Sequence, residues 1–115
     1  MKKVALVAFN GDAMCFVHVL LNALDMADAG FDVKVVIEGS ATKLVKELVD
    51  PAKPFAGLYK KVKDRGLIDC VCKACSVKMD SIHAAQEQGL PLCDDISGHP
   101  SLRKYMDQGF EIITF

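Results

Sequence analysis

A chain of 115 residues is long enough to bury one hydrophobic core and too short for two. Its 14 basic and 15 acidic side chains nearly cancel, leaving a formal charge of −1. That balance excludes the basic footprint of a nucleic-acid binder and the polybasic patch of a membrane-surface protein, and no run of about eighteen apolar residues is present to span a bilayer.

Met1-Lys2-Lys3 followed by Val4 to Phe9 has the outline of a signal peptide, but the apolar run stops at Asn10-Gly11-Asp12, too soon for a signal's hydrophobic region. A cytoplasmic location is therefore expected. Val4 to Phe9 instead predicts a strand buried on both faces, and Asn10-Gly11-Asp12 a turn with helix-capping character. Between Ala13 and Ala29 only His18, Asn22, Asp25 and Asp28 interrupt the apolar residues, which predicts a helix covered on more than one side, by its own domain or by another subunit. Asp32 to Ile37 reads as a second buried strand, with Glu38-Gly39-Ser40 as its terminal loop. Thr42 is placed to cap a helix reaching about Val49, where Asp50-Pro51 stops it. A further helix runs from about Phe55 to Arg65, with Lys60, Lys61 and Lys63 forming a solvated face.

Leu67 to Cys72 predicts a third strand, followed by a helix over roughly Ser76 to Gln88. Leu90 to Cys93 predicts a short fourth strand, and Asp94 to His99 a polar loop. Pro100 opens a helix ending near Gln108, and Phe110 to Phe115 forms the last strand. Strict alternation of strands and helices implies a single α/β domain over 1–115, a three-layer α/β/α sandwich on a five-stranded, mainly parallel sheet. Alternation gives the class but not the strand order.

In such a sheet the carboxyl ends of the strands share one edge, where ligands and chemistry collect. Asn10 to Asp12, Glu38 to Ser40, Cys72 to Ser76 and Asp94 to His99 all fall there. Three of the five cysteines, Cys70, Cys72 and Cys75, lie within six residues. An odd number of clustered thiols in a reducing compartment points to catalytic, redox or metal chemistry, not to a disulfide framework. Cys72 ends the strand, where the amino end of a helix and Lys73 should favour its thiolate. Cys70, Cys15 and Cys93 read as small buried hydrophobes, His18 as a core or interface histidine, and His83 as a surface one. His99, between Gly98 and Pro100, is the histidine placed to orient a substrate or take a proton.

Cys72-x-x-Cys75 fits a redox pair, half of a zinc site, or a sulfur-carrying nucleophile with a neighbouring thiol. A structural zinc would need a second ligand pair that is missing, so Cys93 or His99 would have to arrive from a separate loop. No metal ligand is assigned on this basis. Neither Asn10-Gly11-Asp12 nor Glu38-Gly39-Ser40 forms a phosphate fingerprint, which leaves a nucleotide or small-molecule binder as a weaker alternative.

The apolar first strand, the long first helix, Val35-Val36-Ile37-Glu38-Gly39, the cysteine ending strand three, Ser97-Gly98-His99-Pro100 and the closing Gly109-Phe110-Glu111-Ile112-Ile113-Thr114-Phe115 together resemble a cytoplasmic branch of the DsrE/DsrF/TusD-like sulfur-relay proteins. The resemblance covers the whole chain. It implies a DsrE-like fold, a trimeric or hexameric assembly, sulfur donor and acceptor proteins as partners, and no cofactor. It also implies a sulfurtransferase-type role in which Cys72, by position, carries sulfane sulfur as a persulfide. Where family members often have a Gly-Asn or small-residue stretch, this chain has Lys73-Ala74-Cys75, so Cys75 is either a resolving thiol or the carrier itself. Asn10, Glu38, Gly39 and His99 are the expected binding residues around the two thiols. The alternative is a metal- or small-molecule-binding regulatory module built on Cys70, Cys72 and Cys75, without catalysis.

Overall fold

The computed structural model describes residues 1–115 and contains one sheet of five strands, every neighbouring pair parallel. The strands are β1 (Lys3–Ala8), β2 (Asp32–Ile37), β3 (Ile68–Cys72), β4 (Leu92–Cys93) and β5 (Glu111–Thr114), in the spatial order β4-β3-β2-β1-β5. The helices are α1 (Ala13–Asp28), α2 (Lys43–Glu47), α3 (Ala56–Asp64), α4 (Lys73–Lys78), α5 (Ile82–Glu87) and α6 (Leu102–Asp107), with a 3₁₀ turn over Gly39–Thr42 ahead of α2. No helix is long and apolar enough to cross a membrane.

The strand order explains the layers. From β1 through β4 the chain steps steadily in one direction, and right-handed crossovers that step the same way leave their helices on the same face. Phe16 and Leu20 of α1, Leu44 and Val45 of α2, Tyr59 and Val62 of α3 and Ala85 of α5 therefore bury against Val4, Leu6, Val35, Ile37 and Val71. The last crossover reverses direction to place β5 beyond β1. It carries α6 to the opposite face, where Tyr105 and Phe110 cover Ala5, Val7, Val36, Cys70 and Cys93. Along β1 the alternation is strict, Val4, Leu6 and Ala8 facing one core and Ala5 and Val7 the other.

One irregularity bears on the site. Val35 pairs with Ile68 but Val36 pairs with Cys70, so Asp69 is an extra residue in β3, a bulge. The bulge turns Asp69 toward α6, where its carboxylate accepts a hydrogen bond from the Tyr105 hydroxyl and lies 3.8 Å from Lys34 Nζ. Beyond the bulge the alternation resumes, leaving Cys70 in the second core and Val71 in the first.

Four local expectations are corrected. The helix anticipated over Ser76 to Gln88 is two short helices. Asp80 takes a left-handed conformation (φ 54°), and the Ser81 N–H donates to the Ser76 carbonyl (2.8 Å) to close the turn between them. Thr42 caps nothing, because its hydroxyl donates to the carbonyls of Gly39 (2.9 Å) and Cys75 (3.2 Å). Helix α1 is amphipathic, with Met14, His18 and Leu21 exposed and Phe16, Val17, Val19 and Leu20 buried, so its own domain covers one side only, which corrects the first of the two covers expected and leaves the one by another subunit. Cys70 and Cys93, anticipated as separate buried thiols, are joined by a disulfide with Cα atoms 5.6 Å apart. Their pairing depends on β4 lying beside β3, a fact of strand order that alternation alone does not supply.

Candidate functional site

Cys72 is the last residue of β3, and α4 begins at the next residue, so Cys75 follows within the first turn of that helix. His99 reaches the same place from the loop after β4. That loop contains a tight hairpin: Ile96 and His99 exchange both backbone hydrogen bonds, each 2.9 Å, around Ser97 (φ 50°) and Gly98 (φ 88°). Two successive positive φ angles are the mark of a primed turn, and a Ser-Gly pair accommodates them.

Gly98 fastens this hairpin to α4. Its carbonyl accepts from the Ala74 N–H (2.9 Å) and from the Cys72 thiol (3.6 Å). Its α-carbon presses so closely on α4 that a Cβ there would lie 2.9 Å from the Ala74 Cβ. The result is a compact group in which His99 Nδ1 is 3.1 Å from Cys72 Sγ and 3.8 Å from Cys75 Sγ. All three atoms lie within 4.8 Å of one another.

The two thiols differ in access. Cys72 is fully buried (0% exposed), and removal from water pushes its thiol up to about 12, with repulsion from Cys75 and Glu38 adding to the effect. This is opposite to the thiolate-favouring influence expected from the helix end and Lys73. The Cys75 backbone N–H at the start of α4 does pull the thiol down, but burial outweighs it, and Lys73 turns its ammonium to Asp94 (3.3 Å). Cys75 is half-buried and lines an open cleft of about 310 Å³ with Gly39, Ser40, Lys78, Met79 and His99. That volume is at the lower end of small-ligand sites.

Glu38, anticipated as a loop residue, is only 6% exposed, and its Oε2 has no hydrogen-bond partner. Burial pushes its carboxyl up to about 7. It stands two residues beyond Val36 as Cys72 stands two beyond Cys70, so the paired strands carry both to the carboxyl edge on one face. Gly39 contributes backbone to the cleft wall in a left-handed conformation (φ 55°), and a Cβ there would meet the Phe9 carbonyl at 2.9 Å. Asn10 is not part of this group. It is exposed, and its Oδ1 accepts from the Asp12 N–H (2.8 Å) in the turn before α1. Of the anticipated residues, the fold thus gathers Cys72, Cys75 and His99 directly, adds Gly39 and Glu38 at the margin, and leaves Asn10 outside. Gly98 went unassigned by sequence reasoning, although the Ser97-Gly98 pair is a turn signal that marks it.

The DsrE/DsrF-like family model matches residues 2–115. The chain belongs to that family. A relative in Methanocaldococcus jannaschii, described as an uncharacterized protein, is 36% identical over 96 residues, which make up 84% of this chain and 76% of the relative. An uncharacterized protein of Archaeoglobus fulgidus is 42% identical over 41 residues, covering 36% of this chain and 67% of its own length. Among solved structures, a conserved protein of unknown function from Bacteroides thetaiotaomicron superposes with a TM-score of 0.70 over 99% of this chain and 95% of its own, at 16% identity. At that identity the likeness establishes the fold alone.

Proposed function

We propose that this DsrE/DsrF-like protein relays sulfane sulfur through the Cys72–Cys75 pair, with Cys75 as the thiol that meets the donor. The observation that carries this reading is the division of the pair: Cys75 lines the open cleft, whereas Cys72 is sealed beneath it, 3.1 Å from His99. A carrier must exchange sulfur with other proteins, and a fully buried thiol cannot reach a donor's persulfide. The assignment of the carrier role to Cys72 by strand position alone therefore gives way to Cys75.

In the loading step the Cys75 thiolate attacks the outer sulfur of a donor persulfide. The donor's S–S bond breaks, the donor leaves as a thiolate, and Cys75 holds the sulfur as a persulfide. An acceptor protein's thiolate then attacks that outer sulfur and Cys75 leaves as thiolate, so the relay is redox-neutral. If no acceptor docks, Cys72 can attack the inner sulfur and expel hydrosulfide, leaving a Cys72–Cys75 disulfide that an external thiol must reduce. His99 Nδ1 is positioned to take the Cys72 proton in that branch. In the same reading the chain assembles with itself, which would cover the exposed apolar Phe9, Met14, Leu21 and Ile113. No catalysis beyond persulfide transfer is invoked.

The test is intact-mass measurement after incubation with inorganic polysulfide, for the wild type, Cys72→Ser and Cys75→Ser. The wild type and Cys72→Ser should gain one sulfur atom that dithiothreitol removes, and Cys72→Ser should keep it longer because the resolving thiol is gone. Undiminished loading of Cys75→Ser would transfer the carrier role to another cysteine, and no loading of any form would end the relay reading.

A further inference from the structure

We propose that Cys72, Cys75 and His99 form a binding site for a thiophilic, tetrahedrally coordinated divalent ion of the zinc class, with three protein ligands and a fourth position open to the cleft. This goes beyond the relay reading and does not depend on it. Two thiolates and an imidazole are the ligand types that zinc selects over magnesium or calcium. The difficulty visible in the sequence was the missing partner for the Cys72-x-x-Cys75 pair, and the Ile96–His99 hairpin supplies it.

The geometry fits closely. With zinc–sulfur bonds of about 2.3 Å and zinc–nitrogen bonds of about 2.0–2.1 Å, a tetrahedron has sulfur–nitrogen edges of about 3.6 Å and a sulfur–sulfur edge of about 3.8 Å. The sulfur–nitrogen separations are 3.1 and 3.8 Å, and no pair of the three atoms exceeds 4.8 Å. Shifts under about 1 Å would complete the set. The ligands are also held in advance. The Ala74 N–H to Gly98 carbonyl bond ties the histidine hairpin to the helix bearing Cys75, and the Thr42 hydroxyl holds the Cys75 carbonyl. A second observation points the same way. Glu38, at the strand end beside Cys72, keeps a buried carboxyl oxygen without a partner, an acceptor that a water on the ion's open position could satisfy.

Three protein ligands with one open position make a site of the reactive kind, not a closed structural one. Because Cys75 and His99 both border the cleft, the open position faces it and would accept water or an incoming sulfur anion such as a thiolate or hydrosulfide. On binding, each thiol releases its proton and becomes a thiolate ligand, so an occupied site holds both sulfurs and excludes persulfide loading.

The experiment is titration of reduced, chelator-treated protein with Co²⁺, followed by Zn²⁺, read by absorbance and native mass. One Co²⁺ per chain is expected, with thiolate-to-cobalt charge-transfer bands and an intense tetrahedral d–d spectrum, displaced by one equivalent of Zn²⁺. Cys75→Ser and His99→Ala should each weaken binding at least tenfold, with the fold checked by circular dichroism. Cys15→Ser and the double substitution Cys70→Ser with Cys93→Ser should leave it intact. Absence of stoichiometric binding, or binding that survives Cys75→Ser and His99→Ala together, overturns the site. The same preparations, metal-free, are then offered polysulfide. Sulfur loading without metal binding defeats the metal site and spares the relay, whereas metal binding without loading of the metal-free protein does the reverse.

Discussion

Replacing Gly98 by alanine tests the construction of the site directly, because two separable costs meet at that residue. The first is conformational: Gly98 has φ 88°, where an L side chain costs about 1–2 kcal/mol. The second is steric, since the new methyl would lie 2.9 Å from the Ala74 Cβ, and relieving that overlap should cost about 1–3 kcal/mol. Gly30 provides the control. It has the same φ of 88°, and a methyl added there would meet nothing within 4 Å, so Gly30→Ala carries the conformational cost alone. Denaturant midpoints should show a loss of about 1–2 kcal/mol for Gly30→Ala. For Gly98→Ala the summed loss should be about 2–5 kcal/mol. Ala74→Gly, which removes the opposing methyl, should recover the steric part in the double variant even though glycine weakens the helix by about 1 kcal/mol. In folded Gly98→Ala protein the hairpin should also withdraw from α4, and His99 nitrogen shifts in NMR should lose their dependence on the oxidation state of Cys72. Equal losses for Gly98→Ala and Gly30→Ala, or no recovery with Ala74→Gly, would refute the close packing of hairpin on helix.

Two further outcomes follow from buried groups. Because burial raises the Glu38 carboxyl to about 7 from an ordinary 4.5, the folded state favours its neutral form. That stabilisation is complete below pH 4.5, is lost as pH rises toward 7, and changes no further above it, with a slope of at most about 1.4 kcal/mol per pH unit. Subtracting the stability–pH curve of Glu38→Gln from that of the wild type should isolate this ramp, and parallel curves between pH 4.5 and 7 would contradict it. The Cys70–Cys93 disulfide closes a loop with a sequence separation of 23. Substituting both residues by serine should lower stability by about 3 kcal/mol, measured against the oxidised wild type. An unchanged denaturant midpoint would mean that the bond contributes nothing to the fold.

The site combines an accessible thiol with one that the fold keeps neutral. Cys72 occupies the strand end at which a reactive cysteine is expected, yet it is fully buried, next to Cys93 in the β3–β4 register and on the same face as Glu38. In the proposed relay, reactivity toward a partner therefore falls to Cys75, one helical turn further on and open to the cleft. In that proposal Cys72 acts only after the first step, when the attacked sulfur would already be held beside it and no diffusion through solvent would be needed. His99 Nδ1 lies near both sulfurs, so in the two proposals the same nitrogen serves either as proton acceptor for Cys72 or as metal ligand beside both thiolates.

How far the sequence disclosed this depends on the range of the interaction involved. Apolar runs such as Val4 to Ala8 and Val35 to Ile37 reveal buried parallel strands because burial on both faces leaves no polar alternation, and the strand-end loops follow from them. The placement of Cys72, Cys75 and His99 at one edge was legible for that reason. What was not legible rests on strand order and on contacts between distant segments. Cys70 bonds Cys93 because β3 and β4 are neighbours, and Glu38 is buried because its strand is central, flanked by β1 and β3. The bulge at Asp69 is invisible in a run reading Ile68-Asp69-Cys70-Val71-Cys72, where the aspartate looks like an exposed position. Its carboxylate is instead held by Tyr105, 36 residues away, on the only helix that crosses to the second face. Gly98 is the intermediate case. Its need for a positive φ is written in Ser97-Gly98, but its need to have no side chain is imposed by Ala74, and only the packed hairpin brings those two requirements together.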